Sequence, residues 1–204
     1  MFYLSLVEHK LLLPPHRLGL PIQDGIKKEL ELIFLDKVIA DVGLCISVYD
    51  IRKIEGGFIV AGDGGSTYAV QFRMIMFRPF VGEIITAKLK ESDTDGLHLS
   101  LGFFDDIHVP VHLLPSPSRF EPSPDTRYKV RWIWEYGDEF IIDGRDKIKF
   151  RVQSVKYPPM PDELEQLKAF SPMVITGTID YDGLGPVSWW EESQEKDAEQ
   201  DEES

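Results

Sequence analysis

The sequence predicts an α+β domain followed by a small all-β barrel. Three observations lead to this prediction: an amphipathic helix between strands in the first 80 residues, a change of pattern at Pro79-Phe80, and three short apolar runs directly after it. The chain has 204 residues, 43% hydrophobic and 28% charged, so it can bury one core or two small ones, which excludes a disordered or collagen-like chain. It contains no run of about 18 apolar residues and no visible secretory signal, which predicts a soluble, intracellular protein without a membrane partner.

The N-terminal domain is predicted to begin with a strand and a helix. Phe2, Leu4 and Leu6 alternate with the residues between them, which predicts a strand that turns these side chains toward a core and ends at Pro14-Pro15. A helix is predicted next, because apolar residues recur at helical spacing with charged residues on the other side. These apolar residues are Ile22, Ile26, Leu30, Ile33 and Phe34.

Two further strands are predicted in this domain, over residues 43–51 and 68–78, because both segments are rich in β-branched, aromatic or long apolar residues. The segment between them, residues 56–66, contains five glycines and is predicted to be a mobile, projecting loop. A short strand at Phe58–Val60 is compatible with this prediction. Glycine-rich projections on a rigid scaffold often make contacts, so this loop is a candidate interaction site.

The predicted barrel begins after Pro79. Residues 82–110 contain three short apolar runs, EIITAKL, LHLSL and DIHVP, and the turn sequences between them are typical of a small antiparallel barrel. A proline-rich loop is predicted over residues 115–126, an insertion with a short helix over 157–170, and a disordered acidic tail over 191–204. The remaining strands are predicted over residues 127–134, 145–152 and 173–179.

The net charge of −13 first argues against nucleic-acid binding, because phosphate binding normally rests on Lys and Arg. The distribution of the charge weakens that argument. Residues 191–204 carry eight acids and one base, a net of −7, whereas residues 1–190 carry 27 acids and 21 bases, a net of −6. The part of the chain that is predicted to fold is therefore only mildly acidic.

Basic residues alternate with apolar residues along two of the predicted barrel strands, so that each strand has an apolar face and a basic face. If the two strands pair, their cations form a ribbon suited to the backbone of single-stranded RNA. The candidate RNA-binding residues are Arg127, Lys129, Arg131, Arg145, Lys147, Lys149 and Arg151, with Lys88 and Lys90 on an earlier strand. The alternative is a solvated face neutralised by nearby acids, or an edge guarded by lysines against mispairing.

Four tryptophans lie in the second half of the chain. Trp132 and Trp134 share a phase with Val130, which predicts core packing for both. Trp189 and Trp190 are adjacent and cannot both enter the core face of one strand. At least one of these two is therefore predicted to dock on a neighbouring surface or on a partner.

Catalytic and metal-binding motifs are weak. The sequence GDGG at residues 62–65 lacks the Lys-Ser/Thr ending of a phosphate loop and is interpreted as a turn. Asp105, Asp106 and His108, together with His98 and His112, are ligand types for divalent ions, but their spacing matches no recognised site. Cys45 is the only cysteine, which excludes an internal disulfide and a cysteine-built zinc site. We therefore expect no catalytic residue, no metal and no cofactor.

Several motifs in a fixed order make the chain resemble a known family. They are the first strand ending in LPP, then VGLCISVYDI, GDGGSTYAVQFRMIMFRPFVGEI, LSLGFFDDIHVP and the closing GLGPVSWW. Together they resemble the larger stalk subunits of RNA polymerases, which include the seventh subunit of RNA polymerase II and its archaeal counterpart. GFFDDI and SWW resemble the polymerase III branch in particular, and the resemblance extends over nearly the whole chain to Trp190.

The resemblance implies a non-catalytic subunit of DNA-directed RNA polymerase III in the nucleus. Residues 1–80 would form a tip domain of truncated ribonucleoprotein-like fold, and residues 81–190 an RNA-binding OB-fold barrel. The resemblance also implies a heterodimer with a smaller stalk subunit, attachment to the polymerase core, support of transcription initiation at genes for tRNA and other small RNAs, and weak contact with emerging single-stranded RNA. The residues that match core-contacting loops of the family are Pro15, Gly62, Asp63 and Gly64.

One residue departs from the pattern of the family. Ala87 stands where the family usually has a glycine in the first barrel strand, which leaves the local curvature of that strand open.

Two other functions remain as alternatives. A free-standing OB-fold RNA-binding factor of translation or RNA decay would use the same barrel, but it would not need residues 1–80. Metal-assisted hydrolysis by Asp105, Asp106 and His108 is the third interpretation.

Overall fold

The protein consists of two compact units. The structure is a computed structural model that describes residues 1–59, 62, 64–125, 127–159 and 171–190. The first unit is Met1–Pro79, and the second begins at Phe80. In the described part of the chain, no helix is long and apolar enough to cross a membrane.

Over its described residues, the first unit is a four-stranded antiparallel sheet with one helix packed on it. Its elements are β1 (Phe2–Leu13), α1 (Ile22–Phe34), β2 (Val38–Ile39), β3 (Gly43–Ile59) and β4 (Ser66–Phe77), with a 3-10 turn at Pro15–Arg17. The strand order is β1-β4-β3-β2, and each neighbouring pair is antiparallel. The helix follows Pro21 and stops before Asp36, which has a left-handed φ of 58°.

The core of the first unit lies between α1 and one face of the sheet. Ile26 and Leu30 of the helix are fully buried, as the helical spacing of the apolar residues predicts. They pack in one cluster with Phe72 and Met74 of β4 and with Cys45 of β3. The opposite face of the sheet carries no helix among the described residues.

The predicted orientation of β1 is wrong. Phe2, Leu4 and Leu6 lie on the exposed face, and Leu6 is 65% exposed. The side chains that face the core are instead Tyr3, Val7, Leu11 and Leu13. The first seven residues are largely apolar on both faces, so their alternation does not show which face is buried. The charged Glu8 and Lys10, which share the phase of Phe2, mark that face as the exposed one.

The predicted loop over residues 56–66 is shorter in the structure. Strand β3 continues to Ile59 and β4 begins at Ser66, so the two strands form one long hairpin. Gly56 and Gly57 both have positive φ angles, of 102° and 95°, and lie where the register shifts by a bulge. Glycine at these two places therefore lets the hairpin arm bend while it remains paired.

The described part of the second unit contains nine strands. They are β5 (Ile84–Asp93), β6 (Gly96–Ser100), β7 (Ile107–Pro110), β8 (Ser118–Pro122), β9 (Val130–Tyr136), β10 (Asp138–Ile142), β11 (Lys147–Lys156), β12 (Val174–Thr178) and β13 (Gly185–Pro186). This inventory covers the described residues; the helix predicted within residues 157–170 and the tail at 191–204 lie largely or wholly outside them.

Five of these strands close into a barrel. The order is β5-β6-β7-β12-β11, and β11 pairs with β5 to complete the ring. The β7–β12 pair is parallel and the other barrel pairs are antiparallel. A small five-stranded barrel of this kind is an OB fold, so the barrel that the short runs predict is present. Its interior holds fully buried apolar residues such as Leu97, Ile107 and Phe150.

Ala87 does not disturb the barrel. It is 3% exposed on the inner face of β5, opposite Ile148 of β11. The irregularity in β5 lies further along, at a bulge between Leu89 and Glu91 in the pairing with β6. The bulge bends the strand, so a glycine at position 87 is not needed for that purpose.

Strands β8, β9 and β10 form a separate antiparallel sheet that interrupts the barrel between β7 and β11. Trp132 of β9 is buried, and its indole N–H donates a hydrogen bond to the carbonyl oxygen of Asp93 at the end of β5, 3.1 Å away. The backbone N–H of Lys129 donates to the carbonyl oxygen of Ser92 in the same region. These bonds attach the inserted sheet to the barrel wall.

We expect Gly177→Ala to destabilise the second unit. A Cβ at Gly177 of β12 would lie 2.5 Å from Cδ2 of Phe150, which is fully buried, so the ring must move, at a cost of about 1–3 kcal/mol in the free energy of unfolding. Urea unfolding followed by tryptophan fluorescence measures this, because all four tryptophans lie in the second unit. Thr176→Ser on the outer face of the same strand is the control; equal stability of Gly177→Ala and the native protein would contradict the packing.

Cys45 is expected to be unreactive in the folded protein. It is fully buried, and burial raises the pKa of its thiol to about 11. At pH 8 a thiol reagent should therefore modify Cys45 only as fast as the first unit opens, whereas in urea it should react completely. Timed alkylation followed by mass spectrometry tests this, and modification at the rate of a free cysteine would contradict the burial.

Candidate nucleic-acid interface

The two basic strands do not pair with each other. Strand β9 pairs with β8 and β10, whereas β11 pairs with β5, β12 and β13. The continuous ribbon that the sequence suggested therefore does not form. Alternation along a strand defines its faces but not its neighbours, and the inserted sheet separates the two strands.

Five of the nine predicted cations are held in ion pairs. The nitrogen–oxygen distances are 2.6–2.9 Å, and most of these pairs are well exposed to solvent. The pairs are Lys90–Asp105, Arg127–Asp125, Lys129–Glu91, Arg131–Glu121 and Arg145–Asp143. Exposed pairs add little stability, but they reduce the positive charge that is available to a phosphate.

The pKa values reflect this pairing. The hydrogen bond to Glu91 raises the pKa of Lys129, and the same bond lowers the pKa of Glu91. The hydrogen bond to Asp105 likewise raises the pKa of Lys90 and lowers that of Asp105. All four groups are therefore charged at neutral pH, and each cation is already neutralised by its own neighbour.

The other four cations lie together on the outside of the barrel. Lys147, Lys149 and Arg151 alternate along β11 with buried apolar residues, and Lys88 on β5 is the register partner of Lys147. Within the described chain, none of the four has an ion-pair partner. The guanidinium of Arg151 lies over the ring of Tyr181, 5.3 Å from its centroid. We call these four residues the barrel cation patch.

A shallow groove runs along one side of the barrel cation patch. It has a volume of about 310 Å³, and Lys88 and Lys147 line it from the two paired strands. The remaining lining residues are Thr86, Ala87, Ser100, Leu101 and Gly102. Two ammonium groups in one groove suit a phosphate, because each lysine supplies several donors to the oxygens. The hydroxyl of Thr86 also lines the groove, whereas that of Ser100 donates a hydrogen bond to Asp105.

Arg119 and the contact between two histidines were not predicted from the sequence. Arg119 of β8 forms ion pairs with Glu121, Glu135 and Glu139, which lie on β8, β9 and β10 respectively. On the barrel, His98 and His108 are stacked with their ring centroids 4.7 Å apart. Burial lowers the pKa of His108, and the neighbouring His98 lowers it further. The cross-strand register that brings each set together is not visible in the sequence.

The acidic candidates for a metal site are engaged elsewhere. Asp105 accepts hydrogen bonds from Lys90 and Ser100, and Asp106 accepts one from Ser171. Among the residues that the structure describes, no group of three or more His, Cys, Asp or Glu is arranged to hold a metal ion. The geometry therefore gives no support to metal-assisted hydrolysis by Asp105, Asp106 and His108.

The loops predicted to contact a polymerase core lie close together. A Cβ added to Gly64 would lie 3.5 Å from Cγ of Pro15, so the end of the β3–β4 hairpin and the loop after β1 are neighbours. Gly62 and Gly64 both have positive φ angles, while Asp63 lies outside the described residues. Phe58 and Ile59 at the end of β3 are 76% and 67% exposed. This end of the first unit thus presents apolar side chains next to glycine backbone.

The paired tryptophans at the end of the described chain have different contacts. Trp189 packs on Trp134 and Phe140 of the inserted sheet, with ring centroids 5.5 Å apart in both cases. Trp190 donates a hydrogen bond from its indole N–H to the carbonyl oxygen of Leu184, 2.8 Å away. Trp134 is half-buried under these contacts rather than part of the barrel interior.

These features define a two-unit protein in which an N-terminal sheet with one helix precedes an OB-fold barrel. Residues 8–64 match a family described as the SHS2 domain found in the N terminus of Rpb7p and Rpc25p. Residues 83–190 match the family of RNA polymerase III subunit Rpc25. The chain belongs to this Rpc25 family.

Relatives match over nearly the whole chain. DNA-directed RNA polymerase III subunit RPC8 of Bos taurus is 34% identical over 209 residues, with 95% of this chain and 100% of the relative covered. The subunit of the same name in Schizosaccharomyces pombe is 32% identical, with 93% and 100% covered. The DNA-directed RNA polymerase subunit Rpo7 of the archaeon Saccharolobus solfataricus is 29% identical, with 70% and 76% covered.

Proposed function

We propose that the protein is a non-catalytic subunit of DNA-directed RNA polymerase III and contacts RNA through its barrel. The match of both units to one polymerase subunit family, over nearly the full length of the relatives, carries this proposal. It favours a polymerase subunit over a free-standing OB-fold factor, because such a factor would not need the first unit.

The two units divide the work. Residues 1–80 form the tip domain, of truncated ribonucleoprotein-like fold, and attach the protein to the polymerase core. Residues 81–190 form the RNA-binding barrel, and the acidic tail at 191–204 follows it. The protein pairs with a smaller stalk subunit, acts in the nucleus and supports initiation at genes for tRNA and other small RNAs.

RNA contact rests on the barrel cation patch rather than on all nine predicted residues. Lys88, Lys147, Lys149 and Arg151 have no acidic partner among the described residues, so a phosphate does not have to compete with a carboxylate for them. The paired cations contribute less, because their charge is already neutralised. A patch of four cations on an acidic chain favours local and weak binding of single-stranded RNA.

Reversing the charge of three patch residues should weaken RNA binding. For the triple variant Lys147→Glu, Lys149→Glu and Arg151→Glu, we expect the slope of log K against log salt to become shallower by about 2, since each lost phosphate contact on a single strand removes about 0.7. Fluorescence anisotropy with a labelled oligouridylate, titrated at salt concentrations from about 50 to about 200 mM, measures this slope.

The matched control reverses three paired cations: Arg127→Glu, Lys129→Glu and Arg145→Glu. It changes the net charge by the same amount, so a general electrostatic effect would weaken both variants alike. We expect the control to keep most of the native salt slope. Equal losses in the two variants would show that the barrel cation patch is only a solvated face.

Attachment to the polymerase core is proposed to use the end of the β3–β4 hairpin. Phe58 and Ile59 are among the most exposed large apolar side chains of the described protein, and exposed apolar groups next to flexible glycines suit a docking contact. Pro15 and Gly64 lie against each other beside them and shape the same end of the unit.

Polar substitutions at this hairpin should release the protein from the polymerase without unfolding it. In the variant Phe58→Ser with Ile59→Ser, both side chains are already solvated, so the folded state loses little packing while the docking contact loses apolar area. Affinity purification from cell extract should then recover several-fold less of the largest polymerase subunits.

The control for this variant is Ile22→Ser with Leu32→Ser on α1, which also replaces two exposed apolar side chains. We expect it to co-purify normally with the core. Undiminished recovery of the core by the Phe58 and Ile59 variant would refute the hairpin as the anchor.

A further inference from the structure

An aromatic pocket lies on the second unit where the end of the described chain folds back on the inserted sheet. It has a volume of about 100 Å³, several times the roughly 30 Å³ that one water occupies. Its aromatic walls are Trp134, Tyr181, Trp189 and Trp190. The other lining residues are Pro115, Ile179, Asp180, Asp182 and Leu184.

The charged groups of this pocket all have one sign. Asp180 and Asp182 are exposed, and no lysine or arginine is among the described lining residues. Neither carboxylate has an ion-pair partner within the described chain. This differs from the inserted sheet, where the acids around Arg119 are paired. The pocket thus combines indole and phenol rings with two carboxylates whose charge is not neutralised.

The chemistry of this combination selects a cation. The face of an aromatic ring attracts an ammonium or guanidinium group, most strongly when the ring is tryptophan, and a nearby carboxylate adds to the attraction. Tyr181 at the rim already accommodates one cation of the protein itself, because the guanidinium of Arg151 lies 5.3 Å from the centroid of its ring. The rim is therefore compatible with a charged, nitrogen-bearing side chain.

We propose that this pocket binds a lysine or arginine side chain from a basic segment of a protein partner. The ammonium or guanidinium group enters between the indole rings of Trp189 and Trp190, and Asp180 and Asp182 neutralise its charge. A nucleic acid fits less well here, since two unpaired carboxylates repel phosphates. Arg151 of the barrel cation patch contacts Tyr181 at the edge of this pocket, but the charged residues that line the pocket are acidic, and cation binding here does not require RNA.

The test uses the full chain labelled with 5-fluorotryptophan, which gives one fluorine NMR signal for each of the four tryptophans. The probes are the capped peptide acetyl-Gly-Lys-Gly-amide, its arginine counterpart, its neutral norleucine counterpart and an oligouridylate. We expect the two cationic peptides to shift the signals of Trp189 and Trp190 in a saturable way. Trp132 is only 2% exposed, so its signal should stay in place as an internal control.

Two variants that each remove two negative charges separate the effect of the pocket carboxylates from general electrostatics. Asp180→Asn with Asp182→Asn should bind the lysine peptide about fivefold more weakly, as expected for the loss of two exposed charge contacts. Asp24→Asn with Asp95→Asn removes the same two charges elsewhere and should bind as tightly as the native chain. Equal binding of the norleucine peptide would overturn the cation site in favour of a merely apolar one. Saturable shifts with oligouridylate and not with the peptides would overturn it in favour of a nucleobase, and no shift with any probe would also refute it.

Discussion

The second unit depends on strand β11, which pairs with β5, β12 and β13 and so has more partners than any other described strand. Its inner side chains, Ile148, Phe150 and Val152, are almost completely buried and fill the barrel. Because the side chains of a strand alternate between its faces, burying this set turns Lys147, Lys149 and Arg151 outward. Core packing therefore fixes the position of the cations, and no electrostatic attraction within the barrel is needed to place them.

The neighbours of each cation then decide whether it is available to a ligand. On and beside the inserted sheet, the acids are close enough to pair with Lys129, Arg127 and Arg131. Opposite β11 the partner strand β5 offers Lys88, Thr86 and Ile84 instead, and none of these is an acid. An acidic chain can thus present a small basic surface, because the sign of a surface is set by its nearest residues rather than by the net charge.

Much of the fold was predictable from local patterns. The helix, the long strands of the first unit and the three short barrel strands follow from the spacing of apolar residues and from glycine and proline at the turns. The orientation of β1 was not predictable in this way, because the exposed residues Phe2, Leu4 and Leu6 form a row as apolar as the row that faces the core. The informative signal was longer-range: Leu11 and Leu13 continue the buried phase, whereas Glu8 and Lys10 continue the exposed one.

The candidate site was predictable only in part, for a related reason. The alternation of basic and apolar residues correctly indicates which cations face outward from β11, but it contains no information about which strand lies next to which. Strand β9 belongs to the inserted sheet and therefore does not lie next to β11. The ion pairs of Lys129 with Glu91 and of Arg131 with Glu121 join residues that only the fold brings together. The pair of Arg127 with Asp125 depends on the conformation of a loop. The aromatic pocket has the same origin, since Trp134 and Trp189 are 55 positions apart in the sequence.

We propose that RNA contacts the protein at the barrel cation patch. Crosslinking of the native polymerase complex to RNA that contains 4-thiouridine, followed by mass spectrometry of the crosslinked peptides, tests it most directly. We predict crosslinks in the peptides of β5, β6 and β11, around Lys88 and Lys147. Crosslinks confined to β8, β9 and β10, or to the first unit, would show that RNA binds elsewhere on the protein.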